Sequence, residues 1–252
     1  KDYLRRTLTR FKPDVIVHMA ALPLANVAIE QTEDAFESIL KSTVNILEIV
    51  RDFDHACPVV YTSSSMVYGD FQTPSVTEDA PKDPKDIYGS IKLAGEIISA
   101  GYRKRYGIDV RIVRPTAVYG PFDANQRVLY KFISRALKGQ PLRIDGDGSM
   151  ALDFTYVDDT ANGIYRVATT EAAAGETFNI ARGKSESLST AVSIISETIG
   201  DVKVEYGDVP AHIPTRGTLD VTKARELLGF NPQQGLEQAL PAYIEHLRHN
   251  PI

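Results

Sequence analysis

Patterns typical of strands and helices alternate along the first half of this chain, and this alternation limits the folds it can adopt. Apolar runs typical of buried strands lie at 14–20, 58–63 and 109–115, and helical patterns lie between them at 33–53 and 86–106. Strands joined through helices are typical of parallel sheets, because a parallel pair needs a long crossover connection. The sequence therefore predicts an α/β protein with a doubly wound parallel sheet and helices on both faces.

The second half of the chain predicts a smaller α/β lobe beside this sheet. Beyond residue 120 the alternation weakens, although one later apolar run indicates a return to the sheet. We predict a sheet domain at 1–120, to which 153–170 returns, and a ligand-binding lobe built from 121–152 and 171–252. The cleft between the two lobes is the expected place for a ligand.

Two of the predicted strands end in residues that suit a binding site. The strand at 58–63 leads into three consecutive serines, Ser63, Ser64 and Ser65, and the strand at 109–115 leads into Pro-Thr-Ala-Val-Tyr-Gly-Pro. In open α/β sheets, ligands bind outside the carboxyl ends of the strands. We therefore expect these two strand ends to form part of one site.

Tyr88 and Lys92 are four residues apart in the predicted helix at 86–106, which places both side chains on one helix face. A phenol titrates near pH 10, so it is a poor base at neutrality unless a nearby cation favours the phenolate. With that cation, the pair could move a proton to or from a substrate hydroxyl while a cofactor moves hydride. The same spacing occurs by chance on amphipathic helices, so the flanking motifs decide between the two interpretations.

These motifs together resemble the extended short-chain dehydrogenase/reductase family, especially its nucleotide-sugar epimerase and dehydratase branch. The resemblance is carried by the serine run, by Tyr88-x-x-x-Lys92 and by Arg-Pro-x-x-Val-Tyr-Gly-Pro at 114–121. It implies a Rossmann-like sheet, NAD as cofactor and a nucleotide sugar or related small molecule as substrate. The resemblance covers nearly the whole chain and extends to the segments 13–21, 146–148, 152–159, 178–180 and 220–230.

The resemblance also implies roles for individual residues. Tyr88 would be the acid/base, and Lys92 would lower its pKa and hold the nicotinamide ribose. Ser64 would bridge the substrate oxygen and Tyr88, with Ser63 and Ser65 as alternatives. The residues implied beside NAD are Ala20, Ala21, Thr62, Ser63, Tyr88, Lys92, Pro115 and Thr116. Those implied beside the substrate are Ser64, Ser65, Ala117, Arg127, Arg143 and Arg216.

Other polar residues have simpler interpretations than catalysis or metal binding. His18 is interpreted as a core histidine with satisfied hydrogen bonds. Asp158 is predicted to cap a helix, with Asp159 in the first turn, where the helix dipole favours an acid. No metal site is predicted.

Several positions depart from the family pattern. Asp145 replaces an aromatic residue that commonly stacks on the nucleotide base, and Leu152 replaces an arginine that commonly meets the diphosphate. An aliphatic side chain cannot neutralise a phosphate. Either another arginine supplies the charge or the substrate is not a nucleotide sugar of the usual kind. The candidates for this phosphate-binding arginine are Arg127, Arg143 and Arg216. For each of them, the competing interpretation is a solvated surface charge.

No Gly-x-Gly-x-x-Gly or Gly-x-x-Gly-x-x-Gly turn of the kind that binds a dinucleotide occurs in the sequence. The run at 14–20 resembles the fourth strand of the family sheet, so three earlier strands and their helices, about 60 residues, are missing from the pattern. We predict that the chain is an amino-terminally truncated fragment with one exposed sheet edge.

Composition excludes some classes of function. A net charge of −5 with interspersed signs provides no basic stripe for nucleic acid. No apolar run approaches membrane-spanning length, so no membrane partner is predicted. The single Cys57 excludes an intramolecular disulfide and favours a reducing, cytoplasmic location.

Among reactions of the branch, the sequence favours epimerisation. Dehydratases generally carry an acid just after the catalytic hydroxyl, where this chain has Ser65 and Met66. We predict an NAD-dependent epimerase that acts on a nucleotide sugar at C4 by transient oxidation. Two alternatives stay open: an NAD-dependent dehydrogenase of a sugar or small secondary alcohol, and a non-catalytic, truncated binding module.

The resemblance further implies a homodimer through the helices at 33–53 and 86–106. The outer face of the second helix is predicted to carry Ile91, Ile98 and Tyr102, which would be costly to leave in water. A two-fold dimer would bury such a self-complementary patch. The alternative is that these residues pack on the sheet of their own subunit.

Overall fold

The structure, a computed structural model, describes residues 1–22, 28, 30–210 and 213–250. Helices and strands alternate as the sequence predicts. Among the described residues, the helices before the middle of the chain are α1 (Asp2–Phe11), α2 (Thr32–Ala35), α3 (Ser42–Val50) and α4 (Ile87–Tyr106), with a π-helical turn, Phe36–Lys41, joining α2 to α3. Five follow: α5 (Val128–Leu137), α6 (Val157–Thr169), α7 (Leu188–Ile199), α8 (Thr222–Leu228) and α9 (Leu236–His249).

The strands are shorter than the predicted runs. The first six are β1 (Ile16–His18), β2 (Val59–Thr62), β3 (Ser75–Val76), β4 (Val110–Pro115), β5 (Val118–Tyr119) and β6 (Leu142–Asp145). The other six are β7 (Ala151–Leu152), β8 (Thr155–Tyr156), β9 (Thr177–Ile180), β10 (Glu186–Ser187), β11 (Val204–Gly207) and β12 (Thr218–Leu219).

The main sheet is parallel and has the strand order β1-β2-β4-β9. Successive residues of β2 face opposite sides of it. Val59 and Tyr61 pack in one apolar cluster with residues of α3 and α4, whereas Val60 packs in another with residues of α6 and α8. Helices therefore cover both faces, which confirms the predicted doubly wound α/β class.

Strand β9 differs from the predicted division of the chain. The sequence analysis assigned 171–252 to the smaller lobe, yet β9 pairs with β4 as the fourth strand of the main sheet. Asn179 within it is buried and joins three segments: it accepts a hydrogen bond from Tyr68 Oη at 2.7 Å and donates to the carbonyls of Val76 and Asp220. A short apolar run carries no local signal of which sheet it joins, so sequence pattern alone could not place this strand.

A separate apolar cluster forms the core of the second half of the chain. It gathers buried residues of α5, α7 and α9 around β6, which pairs with β11 in a parallel two-stranded sheet. Pro141 precedes β6, and Gly146 follows it with a φ of 90°, a backbone conformation that favours glycine. This cluster supplies one wall of the cleft.

Helix α4 has well-defined ends that fix where Tyr88 and Lys92 lie. The side chain of Asp86 caps its amino terminus by accepting the Gly89 N–H at 2.6 Å, and the helix, predicted at 86–106, ends before Gly107, which has a left-handed φ of 71°. Helix α6 begins one residue earlier than predicted. Asp158 therefore lies in its first turn instead of capping it.

Asp159 binds a distant loop by accepting the N–H groups of Gln233 and Gln234. Throughout the described part of the chain, no helix combines the length and apolar character needed to cross a bilayer.

Candidate active site

A cavity of about 560 Å³ lies at the carboxyl ends of β2 and β4, beside the first turns of α4. The structure brings together at this cavity twelve of the fourteen residues that the sequence implicated. They are Ala21, Thr62, Ser63, Ser64, Ser65, Tyr88, Lys92, Pro115, Thr116, Ala117, Arg127 and Arg216. The sequence-predicted residues therefore converge on one site, although they span almost 200 positions of the chain.

The other two predicted residues lie outside this cavity. Ala20 is exposed beyond the end of β1. Arg143 lies in a neighbouring cavity of about 820 Å³, where its exposed side chain comes within 3.5 Å of Asp145. The predicted contacts of Ala20 with NAD and of Arg143 with the substrate therefore stay predictions.

The three serines after β2 have three different partners, which separates their roles. Ser63 is buried and donates to Glu96 Oε1 at 2.5 Å. Ser64 acts on the Tyr88 phenol, where it opposes the rise in the pKa of Tyr88, and its Oγ accepts the Met66 N–H at 3.2 Å. Ser65 Oγ accepts a hydrogen bond from the guanidinium of Arg216 at 2.5 Å. Ser64 is thus the serine placed to share a substrate oxygen with Tyr88.

Lys92 lies one turn beyond Tyr88 and is held against the end of β2. Its ammonium group donates to the Thr62 carbonyl at 2.7 Å and lies 5.7 Å from the centre of the Tyr88 ring. Tyr61 Oη donates to the Lys92 carbonyl at 3.2 Å. Lys92 therefore holds α4 against β2 through both its side chain and its backbone carbonyl.

The pKa values of Tyr88 and Lys92 both depart from their ordinary values. Burial raises the pKa of Tyr88 to about 12, and the effects that oppose this rise come from the nearby Arg127 charge and the Ser64 hydrogen bond. The pKa of Lys92 is lowered to about 8 by burial, with the Glu96 charge opposing the change. The net pKa of Tyr88 lies above its ordinary value because burial outweighs the effects that lower it.

The residues at the end of β2 fit the nicotinamide half of a dinucleotide. Thr62 Oγ1 is buried and makes no hydrogen bond to any described residue, although buried hydroxyls are normally paired. Beside it lie the charged Lys92 and the small or rigid residues Ala21 and Pro115. Thr62 and Lys92 offer hydroxyl and ammonium groups to ribose oxygens, and the small side chains leave room for a flat ring.

Arg216 is an unpaired cation at the junction of the two cavities. Its Nη2 donates to Ser65 Oγ at 2.5 Å and to Thr116 Oγ1 at 2.7 Å, and no carboxylate of a described residue lies within ion-pair distance. Burial lowers its pKa to about 10. Its other contact is from Nη1 to the Met66 sulfur at 2.9 Å, so all of these partners are uncharged and the guanidinium retains its capacity to bind an anionic ligand group.

Arg127 reaches the same cavity from the start of α5. Asp123 holds it in place by accepting both its backbone N–H at 3.0 Å and its Nη1 at 2.8 Å. The preceding loop has positive φ at two non-glycine residues, Phe122 at 66° and Gln126 at 50°. Local strain of this kind is found where the surrounding structure fixes a functional loop.

His18 is a satisfied core residue, as the sequence analysis interpreted it. Its Nε2 is 3.0 Å from Thr43 Oγ1 and 3.2 Å from Ser42 Oγ. Burial, assisted by the charge of Lys92, lowers its pKa to about 4, so the ring is neutral at physiological pH.

Sequence reasoning missed several residues of the site. Met19, Asn125 and Phe154 line the cavity, and Glu96 lies directly behind it. Glu96 could have been recognised, because it continues the four-residue spacing from Tyr88 through Lys92. The other three carry no pattern that distinguishes them from ordinary loop or core residues.

The fold and the site are those of an α/β protein whose cavity, at the carboxyl edge of a parallel sheet, is lined by a tyrosine and a lysine, in the place where open α/β sheets bind their ligands. Residues 1–181 match the NAD dependent epimerase/dehydratase family. The chain belongs to this family of enzymes, and NAD is its cofactor.

Individual relatives point in the same direction. The chain is 32% identical to UDP-glucose 4-epimerase of Mycolicibacterium smegmatis, over 96% of this chain and 78% of that protein. It is 29% identical to UDP-glucuronate 4-epimerase of Thermodesulfobacterium geofontis, over 98% of this chain and 76% of that protein. The crystal structure of UDP-glucuronic acid 4-epimerase from Bacillus cereus, in complex with UDP-glucuronic acid and NAD, superposes with a TM-score of 0.91. That match has 27% identity and covers 98% of this chain and 78% of the other.

Proposed function

We propose that the protein is an NAD-dependent nucleotide-sugar 4-epimerase. The observation that carries the proposal is that Ser64, Tyr88 and Lys92 line one cavity, with the Lys92 ammonium 5.7 Å from the centre of the Tyr88 ring. Its 4-epimerase relatives with UDP-glucose and UDP-glucuronate in their names support the choice of substrate class.

The proposed chemistry requires little from the protein beyond proton transfer and orientation. Tyr88 takes the proton from the sugar hydroxyl at C4 and later returns it, while Ser64 holds the same oxygen by a hydrogen bond. Lys92 keeps a positive charge beside the phenol, which favours the phenolate when the proton leaves. Thr62 and Lys92 would hold the ribose of NAD, which when bound would supply the acceptor and donor of the C4 hydride. Rotation of the keto sugar between the two transfers inverts the stereocentre.

The lining of the cavity argues against elimination. Among the described residues that line it there is no aspartate, glutamate, cysteine or histidine. A dehydratase needs a further acid or base to remove a proton beside the carbonyl and to expel a hydroxyl. Ser65 and Met66, which follow Ser64, both contact Arg216 and have no group that titrates near neutrality.

Arg216 is the proposed anchor for the anionic part of the substrate. It borders both the reacting cavity and the neighbouring 820 Å³ cavity, which is large enough for a nucleotide. Leu152 lines both cavities as well, at the position where the family commonly has an arginine. Arg216 therefore supplies the charge that Leu152 cannot, with Arg127 as the next cation along the wall.

Incubation of the protein with NAD and a panel of UDP- and dTDP-sugars would test the function. We expect the C4 epimer to accumulate to equilibrium in proton NMR spectra, with NAD needed only in catalytic amounts. Formation of one equivalent of NADH per product would instead indicate the dehydrogenase, which the loss of the usual diphosphate arginine favours. Absence of both turnover and NAD binding would indicate a binding module.

A homodimer is part of the proposal. Helix α4 exposes Ile97 and Tyr106, and the neighbouring helical stretch exposes Phe36. Of the residues predicted for this face, Ile91 is buried in its own chain with Ile39, and Ile98 and Tyr102 are half-buried there. The interface therefore centres on Ile97. Light scattering should give a dimer for the native protein and a monomer for Ile97→Asp, and a monomeric native protein would overturn the proposal.

A further inference from the structure

Glu96 lies one helical turn beyond Lys92 on α4, where the ends of β2 and β4 meet that helix. Its carboxylate accepts hydrogen bonds from Ser63 Oγ at 2.5 Å, from Arg114 Nε at 2.9 Å and from Arg114 Nη2 at 2.7 Å. Glu96, Ser63 and Arg114 are all buried. One carboxylate thus joins three segments of the main-sheet core.

Each of these segments also carries a residue of the proposed reaction. Ser63 stands between Thr62, whose carbonyl accepts a hydrogen bond from the Lys92 ammonium, and Ser64, which lines the cavity with Tyr88. Arg114 immediately precedes Pro115 and Thr116 in the cavity wall. A shift of Ser63 away from Glu96 would therefore move Ser64 and the acceptor of Lys92 together.

Arg114 is held in place from its other side. Its Nη1 donates to Tyr68 Oη at 2.8 Å and to the Glu78 carbonyl at 2.9 Å. Bidentate pairing with Glu96 uses the planar guanidinium in its most directional geometry. The ion pair is therefore a fixed point against which the serine strand end is placed.

Glu96 is also the negative charge that faces Lys92. The other titratable groups around the ammonium are Tyr88 on its own helix, Tyr61 on β2 and His18 on β1. Both tyrosines have pKa values raised by burial, and His18 has its pKa lowered to about 4, so all three are neutral at pH 7. No other acid among the described residues acts on the pKa of Lys92.

We propose that Glu96 is a positioning residue with two effects on the reaction: it fixes Ser63 and hence Ser64, and it keeps Lys92 charged beside Tyr88. Only the expected effect of Glu96 on the rate of turnover rests on the proposed function. The effect of Glu96 on the charge of Lys92 is a property of the protein alone.

The pKa of Lys92 supports this role. Burial lowers it to about 8, close enough to neutrality that a modest further fall would leave a large neutral fraction at pH 7. An opposite charge nearby typically shifts a pKa by one or more pH units, roughly 1–3. Loss of the Glu96 charge should therefore leave about half of Lys92 deprotonated at pH 7.

The direct test is an NMR titration of Lys92 in the whole protein with ¹³Cε-labelled lysine, with the resonance assigned by its loss in Lys92→Arg. In Glu96→Gln, which retains the shape and loses the charge, the Lys92 midpoint should fall by about one pH unit. In the matched control Ser63→Ala, which retains the charge and loses the hydroxyl, the midpoint should stay at its native value. An unchanged midpoint in Glu96→Gln, or an equal fall in both variants, would overturn the electrostatic role.

Kinetics separate the two effects. Ser63→Ala should lower kcat by about 10-fold to 100-fold through misplacement of Ser64, without moving the alkaline limb of the pH profile. Glu96→Gln should move that limb to lower pH. An unchanged kcat in Ser63→Ala would overturn the claim that Glu96 acts on Ser64 through Ser63.

A second variant covers the case in which Glu96→Gln fails to fold because Arg114 is left as an unpaired buried charge. Glu96→Gln/Arg114→Gln removes both charges and should still show a lowered Lys92 midpoint, and a native midpoint in this variant would overturn the proposal. If no nucleotide sugar is turned over while the midpoint still falls, the proposed function fails and the electrostatic role of Glu96 stands.

Discussion

Gly95 lies directly against the ring of Tyr61, so that a β-carbon at position 95 would come within 2.6 Å of Tyr61 Cζ. The close approach brings α4 onto β2 and lets Tyr61 Oη reach the carbonyl of Lys92. Position 95, in the helical turn that follows Lys92, therefore requires glycine.

Substitution of Gly95 by alanine should destabilise the protein by about 1–3 kcal/mol, because the added methyl group must displace a buried ring. Urea unfolding would measure the change. Gly101→Ala on the same helix is the matched control: nothing lies within 4 Å of its new β-carbon, so it should stabilise by about 0.4–1 kcal/mol. Equal effects of the two substitutions would contradict the proposed packing.

Tyr88→Phe should remove the proton carrier and lower kcat by about 10²–10⁴-fold, while NAD binding measured by calorimetry stays close to native. Ser64→Ala should have a milder effect, because it removes a hydrogen bond and leaves the proton carrier. Tyr106→Phe, at the exposed end of the same helix, serves as the control and should retain full activity. Activity of Tyr88→Phe within about two-fold of native would exclude the mechanism.

The buried His18 should make stability depend on pH. Its pKa in the folded protein is about 4, against 6.5 for an unperturbed histidine, so the unfolded chain binds the proton more readily. The contribution is fully present above about pH 6.5 and is lost as pH falls towards 4, by about 3 kcal/mol in total.

Urea unfolding of native protein and His18→Gln across this range would isolate the contribution, because the other titrating groups are common to both. We expect the native protein to lose about 3 kcal/mol more than the variant between pH 7 and pH 4. The exposed His249 provides the control, since His249→Gln should follow the native curve. Parallel curves for native protein and His18→Gln would show that His18 is not buried in its neutral form.

Arg216→Met should raise KM for the nucleotide sugar by about 10-fold to 100-fold with a smaller change in kcat, because a charge-assisted contact to an anionic group is lost. Arg143→Met is the matched control. Its side chain is 71% exposed beside Asp145, and its loss should leave KM within about two-fold of native. A larger rise in KM for Arg143→Met than for Arg216→Met would show that Arg143, in the neighbouring cavity, binds the anionic group instead.

Much of the fold could be predicted from local pattern. Strand and helix periodicity is a property of neighbouring residues, so α4 and its glycine end, β2 and β4 were all anticipated within a few positions. The four-residue spacing of Tyr88 and Lys92 is likewise fixed by helix geometry wherever that helix lies. Strand β9 lies in the segment predicted for the smaller lobe yet pairs with β4, because pairing partners far along the chain leave no local trace.

The sequence by itself determined the elements, the residue types at the strand ends and, through them, the family. Only the tertiary structure showed that Ser63 pairs with Glu96, that Ser64 acts on Tyr88 and that Ser65 pairs with Arg216. Only the tertiary structure brought Arg216 to the cavity, from a position 128 residues beyond Tyr88. It also showed that burial raises the pKa of Tyr88. The physical reason is that periodicity acts over a few residues, whereas burial and charge at a site depend on every segment that packs around it.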